Sequence, residues 1–90
     1  MDHFIIKKTF LLKSRNKLIV SGTIKKDINK PMSEFDNLLV NNIKIPIKEV
    51  NEVLIDDYFY IAFTFDLNTL DENELNDMIE LKEKQELIIF

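Results

Sequence analysis

The chain has 90 residues, of which 46% are hydrophobic and 31% charged, with a formal net charge of −4 and no cysteine. This length and composition predict a single globular domain over residues 1–90 around one core, and they exclude a disordered protein. The lack of cysteine excludes disulfides and thiolate metal sites. Because no apolar run has the length of a membrane span or the form of a secretion signal, we expect a cytoplasmic protein with no membrane partner.

The first strands of the chain are predicted at residues 3–25, where two alternating apolar runs flank a short polar turn at 14–16. Together they are typical of an antiparallel β-hairpin. In the first run, one face carries Phe4, Ile6, Phe10 and Leu12. In the second run, the corresponding face carries Leu18, Val20, Gly22 and Ile24.

Gly22 is the only glycine of the chain. A glycine inside a strand costs about 0.5–1 kcal/mol relative to alanine, so its presence here indicates a position where a Cβ does not fit. Its inward phase indicates a sharp bend that closes a barrel, or another segment that crosses at close range. Both interpretations predict that a larger residue at position 22 destabilises the fold.

The middle of the chain is predicted to form short strands. Residues 26–37 are polar and broken by Pro31, which indicates a connection with one short strand or turn. A short strand at 38–40 precedes a tight turn at Asn41 and Asn42. The run that begins at Ile43 shifts its phase beside Pro46, which predicts an edge segment or a bulge.

The last third begins with a turn at Asp56 and Asp57, followed by a strand at 58–66 with Phe59, Ile61, Phe63 and Phe65 on one face. The period then changes to that of a helix over 70–84, capped by Asn68 or by Thr69 in a capping box with Glu72. The final residues, "ELIIF", predict a last strand. The fold class is therefore mainly β: a small closed or partly closed antiparallel β-barrel with one helix before the last strand.

The segment "FIIKKTFLLKSRNKLIVSGTIKKDI" resembles the β-barrel that forms the second domain of the translational GTPases, such as elongation factor Tu. The matching positions are Phe4, Ile6, Thr9, Phe10, Val20, Gly22, Ile24 and Ile28. "IKIPIKEVNEV" and "ELIIF" are similar to later strands of that barrel, in the same order. The chain departs from the family at Asp27 and Pro31, where glycines are usual, and in its longer helix. The resemblance implies a stand-alone, divergent barrel and neither nucleotide binding nor hydrolysis.

No residue pattern points to catalysis, a metal or a cofactor. His3 is the only histidine, and no nucleophile motif surrounds it. Asp66 begins a segment similar to a calcium loop, but Leu70 and Asp71 replace the fifth ligand and the glycine of that loop. We therefore expect a protein that is not an enzyme.

Charge is distributed unevenly along the chain. Residues 1–30 hold eight basic and two acidic side chains, which gives +6, whereas residues 31–90 hold four basic and fourteen acidic ones, which gives −10. Either the two parts neutralise each other across the fold or the asymmetry marks a surface for a partner. The candidate partner-binding residues are Lys13, Arg15 and Lys17, which flank one turn and could also meet phosphates.

These observations leave several functions open. The first is a non-catalytic binding module, similar to a stand-alone translation-factor barrel, that contacts a protein partner or RNA. The alternative is a small acidic inhibitor, of the immunity or antitoxin kind, that binds a basic toxin or nuclease. Its contact residues would be Asp71, Glu72, Glu74, Asp77 and Glu80. A third possibility is a homo-oligomer joined at an edge near Pro46.

Overall fold

The computed structural model describes residues 2–25 and 35–90. Within these ranges, seven strands form one sheet in the order β4-β3-β7-β1-β2-β6-β5, and all neighbouring strands are antiparallel. The strands are β1 (Asp2–Leu12), β2 (Lys17–Lys25), β3 (Asn37–Val40), β4 (Ile43–Pro46), β5 (Glu49–Ile55), β6 (Tyr58–Asp66) and β7 (Glu86–Ile89). One α-helix, α1 (Glu72–Ile79), precedes β7, and 3-10 turns occupy Lys13–Arg15 and Leu67–Thr69. The predicted mainly-β class with one late helix is confirmed.

The sheet has two edge strands, β4 and β5, and no ladder joins them within the described ranges. They are nevertheless connected by only Ile47 and Lys48. The Ile47 N–H donates to the Asp36 carbonyl at 2.7 Å, while the Lys48 N–H donates to the Thr64 carbonyl at 2.8 Å. The sheet is therefore curled, so that its opposite edges meet at this one corner.

The core lies on one face of the sheet, which we call the inner face. The Phe4 and Phe63 rings are in contact there, with centroids 4.4 Å apart. Met78 of α1 is fully buried against the same cluster. Each fully buried side chain of this size contributes about 1.5–3 kcal/mol, so these residues supply much of the stability. The other large, fully buried side chains are Phe65, Leu18, Leu38, Ile45 and Val20.

A β-bulge at Lys7 corrects the predicted pattern of β1. Ile6 pairs with Gly22 and Lys8 pairs with Ser21, so Lys7 is an extra residue. Because one extra residue reverses the alternation, Phe10 and Leu12 do not share a face with Phe4 and Ile6, as the sequence suggested. Thr9 and Leu11 take the inner-face positions instead, opposite Val20 and Leu18.

The turns agree with the sequence. Asn41 and Asn42 have φ angles of 50° and 66°, and Asp56 and Asp57 have φ angles of 50° and 68°. Two successive left-handed residues suit a two-residue hairpin, and asparagine and aspartate adopt this region at low cost. The connection predicted at 26–37 lies mostly outside the described residues, since 26–34 are not described.

The run from Ile43 onwards is two strands rather than one. Pro46 ends β4 and β5 begins at Glu49, on the opposite edge of the sheet. The predicted edge beside Pro46 is confirmed for residues 2–25 and 35–90, among which β4 pairs with β3 alone. Proline has no backbone N–H to donate. At the end of an edge strand this leaves no hydrogen bond between neighbouring inner strands unmade.

The helix begins at a different cap from the predicted one. The Asp71 carboxylate accepts the Glu74 N–H at 2.8 Å, and the Glu74 carboxylate accepts the Asp71 N–H at 3.0 Å. Thr69 is not the cap, because its hydroxyl donates to the Asp66 carbonyl in the preceding 3-10 turn. The helix also ends at Ile79, earlier than expected. Within residues 2–25 and 35–90, no helix is long and apolar enough to cross a membrane.

Candidate binding surface

The predicted partner-binding residues are brought to one end of the β1–β2 hairpin. Lys13 and Arg15 are exposed in the turn, and Lys17 is the half-buried first residue of β2. None of the three forms an ion pair with a carboxylate of the described part of the chain. However, Lys17 lies directly opposite Asp66 in the β2–β6 ladder. The Asn16 side-chain amide donates a hydrogen bond to the Asp66 carboxylate at 3.2 Å. An acid therefore lies at the base of this turn.

The five acids of the inhibitor hypothesis lie on α1 or at its ends. Asp71 and Glu74 use carboxylate oxygens to satisfy backbone N–H groups of the first turn, as the capping box requires. This arrangement explains two of the acids by helix stability alone. The contact role of this helix stays a prediction.

The structure places His3 and the Asp56–Asp57 pair on separate elements, β1 and the β5–β6 turn. His3 is half-buried on β1, opposite Lys25 and Ile88. Asp56 and Asp57 are consecutive turn residues. Among residues 2–25 and 35–90, no three His, Asp or Glu side chains are close enough to hold a metal ion together.

A cluster of exposed apolar side chains lies at the end of the β5–β6 hairpin. Leu54 is 57% exposed, Tyr58 69% and Phe59 72%. Leu54 and Phe59 are directly opposite each other in the ladder, and Tyr58 pairs with the neighbouring Ile55. Phe59 continues the inner-face series of β6 but is the most exposed large apolar residue in the described ranges. We call Leu54, Tyr58 and Phe59 the hairpin-end cluster, in which Leu54 and Phe59 share the inner face and Tyr58 lies on the other face of the same hairpin end.

Phe59 is exposed because β2 leaves β6 at Gly22. The β2–β6 ladder ends at Gly22 opposite Ile61. Beyond this point β2 stays with β1 as far as Lys25, while β6 stays with β5 as far as Tyr58. A gap therefore opens between the two strands, and we call it the notch. It is a cavity of about 340 Å³ lined by Gly22, Thr23, Ile24, Glu52, Phe59, Tyr60 and Ile61.

At the inner end of the notch, β1 approaches β2 so closely that residue 22 has no room for a side chain. A Cβ at this position would overlap the Ile5 carbonyl oxygen and lie 2.9 Å from Phe4 Cζ. The predicted close approach is therefore confirmed, but the approaching backbone belongs to β1, the ladder partner of β2 in the same hairpin, and not to a segment that crosses it. The place where β2 separates from β6 is the same residue.

The hairpin end is acidic. Residues 49–59 contain four acids, Glu49, Glu52, Asp56 and Asp57, and no base. On β1, the Lys7 ammonium lies 5.8 Å from the Tyr60 ring centroid and 3.4 Å from a Glu83 oxygen. The hydrogen bond to Glu83, followed by the negative charge of Glu83, raises the pKa of Lys7. On the other wall of the notch, Lys25 is exposed at the end of β2.

No protein-family model, curated protein or solved structure matches this chain. The surface must therefore be interpreted from its own residues. Sequence reasoning did not identify Leu54 or Phe59 as surface residues, because alternation places Phe59 in the same series as the buried Phe63 and Phe65. The one signal that marks the separation of the strands is the glycine at position 22.

Proposed function

We propose that this protein is a non-catalytic binding module that holds a protein partner at the hairpin-end cluster. The observation that carries the proposal is the exposed cross-strand pair of Leu54 and Phe59 on the inner face beside the notch, with exposed Tyr58 next to it on the other face of the hairpin end. Single exposed apolar residues are ordinary in monomeric proteins, but adjoining aromatic and aliphatic side chains beside a cavity are typical of interfaces.

The partner has a basic contact surface. Glu52, Asp56 and Asp57 surround the hairpin-end cluster, and charges at the rim of an interface select partners of opposite sign and speed their association. RNA is disfavoured at this surface, because phosphates would meet these carboxylates. RNA contact through Lys13, Arg15 and Lys17 stays a separate prediction.

The alternative function, an acidic inhibitor of a basic toxin or nuclease, shares a basic partner with this proposal. The two differ in the surface used, since the inhibitor hypothesis assigns the contact to α1 and the present one to the β5–β6 hairpin. The hairpin end offers apolar area as well as charge. Apolar and aromatic anchors in the centre of an interface contribute most of the affinity, which favours the hairpin.

The proposal includes a partly closed barrel as the scaffold. It is supported by the two-residue connection between edge strands β4 and β5, since Pro46 and Glu49 are separated by at most about 11 Å of extended chain. The resemblance to the second-domain barrel of the translational GTPases is consistent with this arrangement. A role in translation stays a prediction, and no residue for it is assigned.

The test is capture of a partner by tagged protein and by three serine variants. Leu54→Ser and Phe59→Ser remove apolar area from the hairpin end, and Ile43→Ser removes it from β4, where Ile43 is 42% exposed. We expect the partner retained by wild type and by Ile43→Ser to be lost from Leu54→Ser and Phe59→Ser, with melting temperatures unchanged. Equal capture by all the variants would refute the proposal.

A further inference from the structure

We propose that the notch binds an extended, basic segment of the partner by strand addition to β6. This inference rests on the proposed function, because it names how the partner of the hairpin end is recognised. The segment lies between residues Thr23–Lys25 of β2 and Tyr58–Tyr60 of β6. It is a strand with alternating apolar and basic side chains.

The backbone of both walls is the first argument. No ladder joins Thr23–Lys25 to Tyr58–Tyr60, although each stretch is paired on its other side, with β1 and β5 respectively. Among residues 2–25 and 35–90 no strand pairs with these two inner edges, so each wall presents backbone N–H and C=O groups to the notch in strand geometry. Exposed strand edges of this kind are templates for pairing with another chain, and main-chain hydrogen bonds supply affinity in such complexes.

The lining of the notch is the second argument. Gly22, Ile24, Phe59 and Ile61 all belong to the inner-face series, so they line one side of an added strand. The notch is an open pocket of about 340 Å³. This space accommodates a short stretch of backbone and its apolar side chains. Gly22 leaves the inner end of the notch free of a side chain.

Charge favours a basic occupant, because Glu52, Asp56 and Asp57 on the hairpin side outnumber Lys25 on the β2 wall. Glu52 lines the notch and forms no ion pair with a base of the described residues. A second copy of this chain is a poor occupant through the same hairpin, because its own four acids would face those of the first copy. A basic segment places its positive side chains beside Glu52, Asp56 and Asp57. Its apolar residues alternate with them and enter the notch.

The probe is an acetylated and amidated short peptide of alternating lysine and valine, titrated into the full ¹⁵N-labelled chain. A glutamate–valine peptide controls for charge, and a lysine–valine peptide N-methylated at alternate amides controls for strand pairing. We expect saturable shifts at the amides of Thr23, Ile24 and Tyr60 with the first peptide alone. N-methylation is expected to weaken binding at least about ten-fold, because it removes donors and blocks one edge of the strand.

A matched pair of charge reversals locates the contact. Glu52→Lys is expected to weaken the lysine–valine peptide about five-fold or more, whereas Glu49→Lys, on the other face of β5, changes binding less than about two-fold. Both variants must retain the wild-type melting temperature. An equal effect of the two reversals would place the peptide outside the notch.

The remaining outcomes separate this inference from the proposed function. Equal binding of the N-methylated peptide, shifts confined to Asn51 and Val53 on β5, or no shift at all would overturn strand addition at the notch. Shifts that depend on protein concentration without peptide would indicate a second copy and would also overturn it. In each case, loss of the partner from Leu54→Ser and Phe59→Ser would still support binding at the hairpin end.

Discussion

Replacing Gly22 with alanine is expected to destabilise the protein strongly, although alanine normally stabilises a strand relative to glycine. The new Cβ would overlap the Ile5 carbonyl oxygen and lie 2.9 Å from both the Ile5 carbonyl carbon and Phe4 Cζ. The Phe4 ring is fully buried against Phe63, so it has little freedom to move. The β1 backbone must therefore shift, and the ladder between β1 and β2 is disturbed at this point.

The magnitude follows from three contributions. Overpacking of a buried site costs about 1–3 kcal/mol. Disturbing one backbone hydrogen bond of the ladder costs about 1 kcal/mol. Alanine restricts the unfolded chain more than glycine does, and this stabilises the folded state by about 0.5–1 kcal/mol. The net loss is about 1–3.5 kcal/mol, against a total stability of about 5–13 kcal/mol for a chain of this length.

Thermal and urea unfolding, followed by circular dichroism, measure this loss. For a domain of this size, about 1–3.5 kcal/mol lowers the melting temperature by about 5–25 °C. The control is Thr23→Ala, an exposed neighbour on the same strand, which should stay within about 0.5 kcal/mol of wild type. Gly22→Val is expected to destabilise further. An alanine variant as stable as wild type would refute the close-approach argument.

Three further predictions follow from individual contacts. Thr9→Val should stabilise the fold by about 1 kcal/mol in urea unfolding, because the buried Thr9 hydroxyl has no hydrogen-bond partner among the described residues; a loss of stability would show that the hydroxyl is satisfied. Asp71→Ala should lower the free energy of unfolding by about 0.5–2 kcal/mol and Thr69→Ala by clearly less, since Asp71 is the N-cap of α1. A larger loss from Thr69→Ala than from Asp71→Ala would show that Thr69 is the N-cap, as the sequence predicted. If the β1–β2 turn binds RNA, Arg15→Glu combined with Lys17→Glu should weaken binding of a single-stranded RNA and flatten its salt dependence, and an unchanged affinity would exclude that contact.

Local patterns in the sequence were sufficient for most elements of the sheet. Asparagine and aspartate pairs located the turns at 41–42 and 56–57, where left-handed backbone is needed. Alternation identified β2 and β6 and their inner faces. The last strand was also expected, and β7 found its partners between β1 and β3.

The errors arose where one local rule competed with another. The bulge at Lys7 places Phe10 and Leu12 on the opposite face from the predicted one. A lysine at this position does not indicate a bulge, so the sequence could not predict it. At the helix, both Thr69 and Asp71 are good caps with an acid three residues later. The choice depended on Asp66, whose carboxylate accepts the Asn68 N–H and fixes the preceding turn.

The binding surface was the least accessible to sequence reasoning. Lys13, Arg15 and Lys17 were identified by charge alone, and nothing in the structure yet assigns them a partner. The hairpin-end cluster depends on where two strands separate, which is a non-local property of the sheet. Phe59 has the same pattern as the buried Phe63, and only the end of the β2–β6 ladder distinguishes them.

The most direct test of binding at the hairpin end is site-specific photocrosslinking in cells that express the protein. A benzophenone amino acid replaces Tyr58 in one variant and Ile43, on β4, in the other. Binding at the hairpin end predicts a discrete crosslinked partner from position 58, whose contact region contains a basic, alternating segment, and none from position 43. A partner crosslinked equally from both positions, or from position 43 alone, would contradict it.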